Sequence, residues 1–425
     1  MRSFIVFLFL LALVLCNSDI GTFFLFNDAH VQPNYVVNSD PDTGCTSGSG
    51  TVGMFGDPSC CTPNRLYESA LNAMKTIDTS PDFVAFVGDI TPNHEVLKHS
   101  KWNKQILLDS ISDFSSTLSS HFPTTPLLLQ LGNHDMYPAH QFGPLGRWVF
   151  KETLSLWGKH IPKDQHENYL NGGFYRIDVN EKLTILNINT NFYFTMDVET
   201  VPNPDPSHQF KWIRSEMSRL VELNRKAIIF MHVPVGVTES FAVPVPNMQP
   251  QFNSRLLDSF EEGIQHDRIS AIFSGHEHSA ALRLLWNYKD NKPGAPLFIS
   301  PSMVPFGGSF FPGNNPSFRR IYYNKTDGTV VNYQQYYLNL TRANLIKKDS
   351  WELDYDARSF FKVSDMSTTS VWNIYNRFTK DHDFLVDYIK QNAVRSEFEI
   401  TARALIRHLC AIRHSSNVDF FKCFV

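Results

Sequence analysis

Seven short apolar runs punctuate the chain, at residues 22–27, 83–87, 127–131, 183–189, 227–231, 269–273 and 297–299, each bounded by turn-forming residues. Runs this short, without a polar face, are read as strands buried on both sides. Segments with helical spacing lie between several of them, at 66–77, 102–118 and 209–223. Strand and helix therefore alternate, and the class is α/β or α+β with layered sheets. Proline-rich stretches at 201–206 and 243–250, and the Gly/Pro-rich 306–316, are too interrupted for regular elements and are expected as surface loops. From about Lys347 helical spacing takes over, at 351–361 and 372–412, which predicts a main region at 19–346 and a small helical region at 347–425. With 425 residues, 42% of them hydrophobic, the chain can bury a large core.

Met1-Arg2-Ser3 leads into an apolar run at 4–15 and then Cys16-Asn17-Ser18, the order of a secretory leader expected to occupy 1–18. The run falls well short of the roughly 20 apolar residues that span a bilayer, so no transmembrane anchor is expected. Export places the chain outside the cell or in a lysosomal lumen. Cys45, Cys60, Cys61, Cys410 and Cys423 follow the leader, an odd set that suits an oxidising compartment and leaves at least one thiol. Cys45 and one of the adjacent pair Cys60 and Cys61 bracket a Gly/Ser-rich loop, and Cys410 and Cys423 bracket the last turn of the chain. Both pairs read as staples on loops. Sequons at Asn324 and Asn339 fit the same compartment. The net charge of -4 comes from 38 basic and 42 acidic residues with no basic block, which excludes a nucleic-acid partner.

Polar motifs close five of the predicted strands: Asp28-Ala29-His30, Gly88-Asp89, Gly132-Asn133-His134-Asp135, His232, and Gly275-His276-Glu277-His278. Open sheets carry their ligand loops at such strand ends. Singly, an Asp-x-His or a Gly-Asp marks a turn or a cap. Together the motifs offer His, Asp and Asn donors in the number that two borderline divalent cations need. The glycines beside them let backbone pass close to such a centre without a Cβ clash.

In this order, across 28–278, the motifs resemble the signature of the calcineurin-like metallophosphoesterases. Leu186-Asn187-Ile188-Asn189-Thr190-Asn191, Pro301-Ser302 with Asn314-Asn315-Pro316-Ser317-Phe318-Arg319, Tyr336-Tyr337-Leu338-Asn339-Leu340 and the late cysteine pair narrow the resemblance to the acid sphingomyelinase-like phosphodiesterases. The resemblance implies a two-sheet β-sandwich flanked by helices, with 19–346 as the catalytic domain. It also implies one metal held by Asp28, His30, Asp89 and His278, and a second held by Asn133, His232, His276 and the shared Asp89. A hydroxide between them would attack phosphorus in line with the leaving oxygen. His134 is then expected to protonate the leaving group, with Asp135 orienting its imidazole. The family's histidine after Gly-Asp stands one position late here, as His94, and reads equally as a phosphate contact or an exposed loop residue. His140 and His208 read as surface residues. Pro92 stands where an iron-binding purple phosphatase carries a tyrosine, so two Zn2+ lead, with Mn2+ left open.

The implied activity is hydrolysis of a phosphodiester. Its substrate is either sphingomyelin, giving ceramide and phosphocholine, or a soluble nucleotide or other small diester. No saposin-type unit is expected ahead of the first strand, and the aromatic stretches 286–288 and 306–311 are the candidates for peripheral membrane contact. A secreted binding protein on a dead hydrolase scaffold would lack ligands, and none is lacking.

Overall fold

The computed structural model describes residues 19–93, 102–240, 243–305, 313–397 and 399–425. The expected leader, His94 and the aromatic stretch 306–311 lie outside them. The chain first lays down β1 (Ile20–Phe26), β2 (Phe83–Val87) and β3 (Leu127–Gln130). It then builds a second sheet from β4 (Tyr175–Asp178), β5 (Leu183–Ile188), β6 (Lys226–Met231), β7 (Ile269–Ser274), β8 (Ala281–Asn287) and β9 (Lys292–Ile299). Finally it returns to the first sheet with β10 (Ser317–Asn324), β11 (Val330–Leu338) and β12 (Trp351–Asp356). The first sheet runs β12-β11-β10-β1-β2-β3 and the second β8-β9-β7-β6-β5-β4. Strands β1, β2 and β3 are mutually parallel, as are β5, β6, β7 and β9, so their carboxyl ends gather at one end of the sandwich.

Alternation along each strand sets the layers. Phe23 and Leu25 of β1 and Phe83 and Ala85 of β2 face the gap between the sheets, where they join Phe230 of β6 and Phe273 of β7. Phe23 stacks on Phe83 with centroids 4.4 Å apart. Phe24, Phe26, Val84 and Phe86 face outward onto α1 (Asn64–Ile77) and α2 (Lys104–His121). Helix α1 commits Leu66, Tyr67, Ala70, Leu71 and Met74 to burial, the spacing of one helical face. The second sheet is covered in the same way by α3 (Gln209–Glu222) and α4 (Pro250–Gln265). Strands buried on both faces explain the unbroken apolar runs of the sequence.

Beyond the sandwich, α5 (Thr368–Phe378), α6 (His382–Asn392) and α7 (Ala402–Arg413) extend the inter-sheet core, and α8 (Asn417–Phe424) packs Phe420 against Cys410, Ala411 and Val237. Val371, Phe378, Leu385 and Ile412 join Leu282 and Leu284 of β8 and Phe298 of β9 in the inter-sheet core. Disulfides Cys45–Cys60 and Cys410–Cys423 close the two loops, and the Cys61 thiol is free and buried.

Two expectations give way. Helical spacing at 351–361 predicts a helix, but 351–356 forms the edge strand β12, paired with β11 through Glu352 and Tyr337, and only Ala357–Phe361 is helical. Partner pairing overrides a weak local period over so few residues. Trp286, expected in an aromatic loop, instead sits in β8 with the Arg413 guanidinium 3.3 Å from its ring centroid, beside Trp372.

His408 of α7 gives the fold a pH dependence. Burial drives this imidazole down to about 4 from 6.5, the pull of Glu239 being outweighed, and Arg407 and Arg283 add to the push. A folded-state pKa below the unfolded value means that the unfolded chain takes up a proton first as pH falls. Stability of order 3 kcal/mol, about 1.4 kcal/mol per pKa unit, is therefore lost between about pH 6.5 and 4. Urea denaturation of His408→Leu should show a shallower acid limb than the wild type. Identical limbs would contradict the assignment.

Candidate metal centre

Five strand ends deliver the polar motifs to one place. Asp28 and His30 follow β1, Asp89 follows β2, Asn133 follows β3, His232 follows β6, and His276 and His278 follow β7. Backbone geometry there is forced. Asp28, His30, Asp89, His276 and His278 all take positive φ, between 40° and 73°, although none is glycine. Non-glycine residues held left-handed collect where function over-determines the backbone. Glycine is demanded alongside: a Cβ on Gly132 would lie 2.1 Å from Asp89 Oδ1, and one on Gly88 would lie 2.6 Å from His232 Nδ1.

Proton positions follow from the carbonyls behind the rings. His30 Nδ1 lies 2.8 Å from the Thr91 carbonyl oxygen and His232 Nδ1 lies 2.7 Å from that of Val87. A carbonyl only accepts, so both Nδ1 atoms carry the hydrogen, and in the neutral rings both Nε2 atoms turn lone pairs inward, free to ligate. What they face is also electron-rich. Asp89 Oδ2 stands 3.5 Å from His30 Nε2 and 3.3 Å from His232 Nε2. Asn133 Oδ1 lies 3.0 Å from His232 Nε2 and 2.7 Å from His276 Nδ1, and His278 Nε2 lies 3.4 Å from both His30 Nε2 and Asp28 Oδ1. Asp28 Oδ1 is buried and accepts no hydrogen bond among the described residues.

Acceptors gathered around acceptors need positive charge. Where no cation intervenes, burial opposes the charge on His232, but Asp89 outweighs it and draws the imidazole up to about 9. Half-buried His276, partly stripped of water and facing His232, falls to about 3. Burial works to raise Asp28 and Asp89, yet the facing histidines hold both below the usual carboxylate value. Ligand atoms of Asp28, His30, Asp89 and His278 converge within 4.8 Å, as do those of Asp89, His232 and His276, with Asp89 common to both groups. The donor set fits two divalent cations sharing one carboxylate.

His134 lines the cleft beside the cluster, its ring 5.1 Å from that of His30 and its backbone N–H donating to Asp89 Oδ1 at 2.8 Å. Among the described residues, Asp135 makes no hydrogen bond to that ring. Its carboxylate instead accepts from the backbone N–H groups of Ile90, Thr91 and Gly132 at 2.8–3.1 Å, tying the Gly-Asp loop to the Gly-Asn-His-Asp loop. His208 is exposed, as expected, whereas His140 is only 4% exposed. It packs edge-on against His134 at 4.7 Å and reaches Asn133, because the turn through Pro138 folds it back over the loop it follows. The cleft has a volume of about 380 Å3, with Phe194, Met196 and Val245 on its apolar side and Asn247 and Glu277 on its polar side.

A family model described as calcineurin-like phosphoesterase matches residues 21–280, the span that holds the whole cluster. The chain belongs to the calcineurin-like phosphoesterases. A second model, the acid sphingomyelin phosphodiesterase C-terminal region, matches 292–425 and places this phosphoesterase in the acid sphingomyelinase-like branch. It is 29% identical to sphingomyelinase phosphodiesterase C of Dictyostelium discoideum over 95% of this chain and 93% of that one. It is 28% identical to the human cyclic GMP-AMP phosphodiesterase SMPDL3A over 95% and 90%. With human acid sphingomyelinase-like phosphodiesterase 3b it shares 28% over 96% and 90%. This phosphoesterase is a phosphoric diester hydrolase, and its fold implies divalent metals. None of its described helices is long and apolar enough to cross a membrane.

Proposed function

We propose that the chain is a secreted two-zinc phosphodiesterase acting on a soluble, compact phosphodiester. The observation that carries this is the inward confrontation of the His30 and His232 ring nitrogens with the Asp89 carboxylate, and of the Asn133 amide oxygen with His232. Asp28, His30, Asp89 and His278 would hold one cation, and Asp89, Asn133, His232 and His276 the other. Such a pair supplies an acidified water and electrostatic stabilisation of the charge that builds on the phosphoryl oxygens. Imidazole-rich sets suit zinc.

The remaining steps belong to the chain's own residues. His134, on the cleft wall, donates a proton to the leaving oxygen. Asp135 keeps the two ligand loops in register, and Phe194, edge-on to His276 at 4.8 Å, covers one side of that ring. A cleft of about 380 Å3 takes the phosphoryl group with one substituent and leaves the other outside. The human relative named for cyclic GMP-AMP supports a soluble diester over sphingomyelin. Export is supported by the leader sequence, by two disulfides, and by the sequons. The amide oxygens of Asn324 and Asn339 accept from Thr326 and Arg342 backbone N–H groups, while neither Nδ2, the atom a glycan needs, donates a hydrogen bond among the described residues. We likewise treat 19–346 as the catalytic domain and 347–425 as its C-terminal region.

The test is product release by the purified zinc-loaded protein from bis-p-nitrophenyl phosphate, a dinucleotide and sphingomyelin micelles. Cleavage of the soluble diesters with sphingomyelin left intact is expected. Comparable turnover of sphingomyelin would replace the soluble reading with the lipid one.

A further inference from the structure

His140 stands outside the ligand motifs, yet it is buried at left-handed φ of 65°. Its Nδ1 lies 3.2 Å from Asn133 Nδ2 and 3.1 Å from the Asn133 carbonyl oxygen. With the ring proton on Nε2, Nδ1 accepts from the Asn133 amide N–H, and its approach to the carbonyl is then packing and not a hydrogen bond. On the other side of the same amide, Asn133 Oδ1 faces His232 Nε2 at 3.0 Å and His276 Nδ1 at 2.7 Å.

An asparagine amide has two orientations related by a half-turn, and only the oxygen can ligate a cation. In the orientation seen, oxygen points to the cluster and nitrogen to His140. The half-turned amide would aim N–H groups at the cation position and set its oxygen against His140 Nδ1. Among the described residues, the amide nitrogen meets His140 and the oxygen meets only ring atoms of the cluster. The His140 ring cannot swing away, because His134 packs on it at 4.7 Å and Phe194 at 5.4 Å.

We propose that His140 is a positioning residue that selects the metal-ligating orientation of Asn133, and so sets the affinity of the second cation site. This rests on the two-cation reading above. A hydrogen bond that orients a ligand is worth about 10–100-fold in metal affinity. The effect should fall on the site of Asn133, His232 and His276 and spare that of Asp28, His30 and His278, whose donors His140 does not touch.

The experiment is calorimetric titration of zinc into chelator-stripped wild type, His140→Phe and His140→Asn. His140→Phe keeps a ring against His134 and removes the nitrogen, whereas His140→Asn offers a hydrogen-bonding side chain in its place. His140→Phe should bind the first zinc as the wild type does and the second about 10–100-fold more weakly. Excess zinc should restore its hydrolysis of bis-p-nitrophenyl phosphate, and His140→Asn should recover part of the lost affinity. Two wild-type affinities in His140→Phe would overturn the proposal. If that variant fails to fold, NMR of the wild type decides: a contact between the Asn133 side-chain amide protons and the His140 ring is required, and its absence overturns the proposal. A wild type that binds no zinc but shows this contact would refute the two-cation reading and leave the orientation standing.

Discussion

Asp89→Ala is expected to lower kcat/KM on bis-p-nitrophenyl phosphate by about four orders of magnitude, a barrier increase of about 5 kcal/mol at 1.36 kcal/mol per tenfold. Asp89 is the residue common to both groups of converging ligand atoms. Its Oδ2 is the atom nearest to both His30 and His232, and its Oδ1 receives the His134 N–H. Removing it takes a ligand from each cation at once and leaves two bare imidazoles without their counter-charge. Zinc content should fall together with activity, while far-UV circular dichroism stays that of the wild type, since the strands on which the ligands sit are packed by apolar residues. Activity within tenfold of the wild type would refute a shared carboxylate.

Arg283→Ala should lose about 3–5 kcal/mol of stability, the usual cost of breaking a buried ion pair from one side. Arg283 is fully buried in β8. Its Nη2 reaches Glu239 Oε2 and Glu277 Oε1, each at 2.6 Å, and the Val237 carbonyl, while its Nη1 reaches that of Val235. Without the guanidinium, two buried carboxylates and two carbonyls lose their donor together. Glu277 already feels the strain: burial, with Glu239 nearby, lifts its carboxyl to about 7 despite the arginine. Since Glu277 lies between His276 and His278, and Arg407 of α7 donates to the Glu239 carbonyl, the network fastens the C-terminal helices to the metal loop. Urea denaturation measures the loss, and a change under 1 kcal/mol would mean that the cluster is neutral to the fold.

The site was more legible in the sequence than the frame that carries it. Strands such as 83–87 are buried on both faces, so they appear as unbroken apolar runs, and their polar ends stand out against them. Helix α4 and strands β10 to β12 did not: β11 alternates buried and half-buried residues, many of them polar, and β12 exposes Leu353. Their places depend on partners distant in the chain. In the same way, His140 carries no motif and no period, and only the fold brings it back onto Asn133. Asp135 shows the opposite limit. Its motif stands out in the sequence, but its three backbone partners come from loops whose meeting no local pattern records.

Asp89 is proposed to hold two cations at once. Anomalous diffraction at the zinc edge, from crystals of the zinc-loaded protein, tests it most directly. Two peaks are expected, one ligated by Asp28, His30, Asp89 and His278 and the other by Asp89, Asn133, His232 and His276. A single peak, or two peaks that do not both touch Asp89, would contradict that proposal.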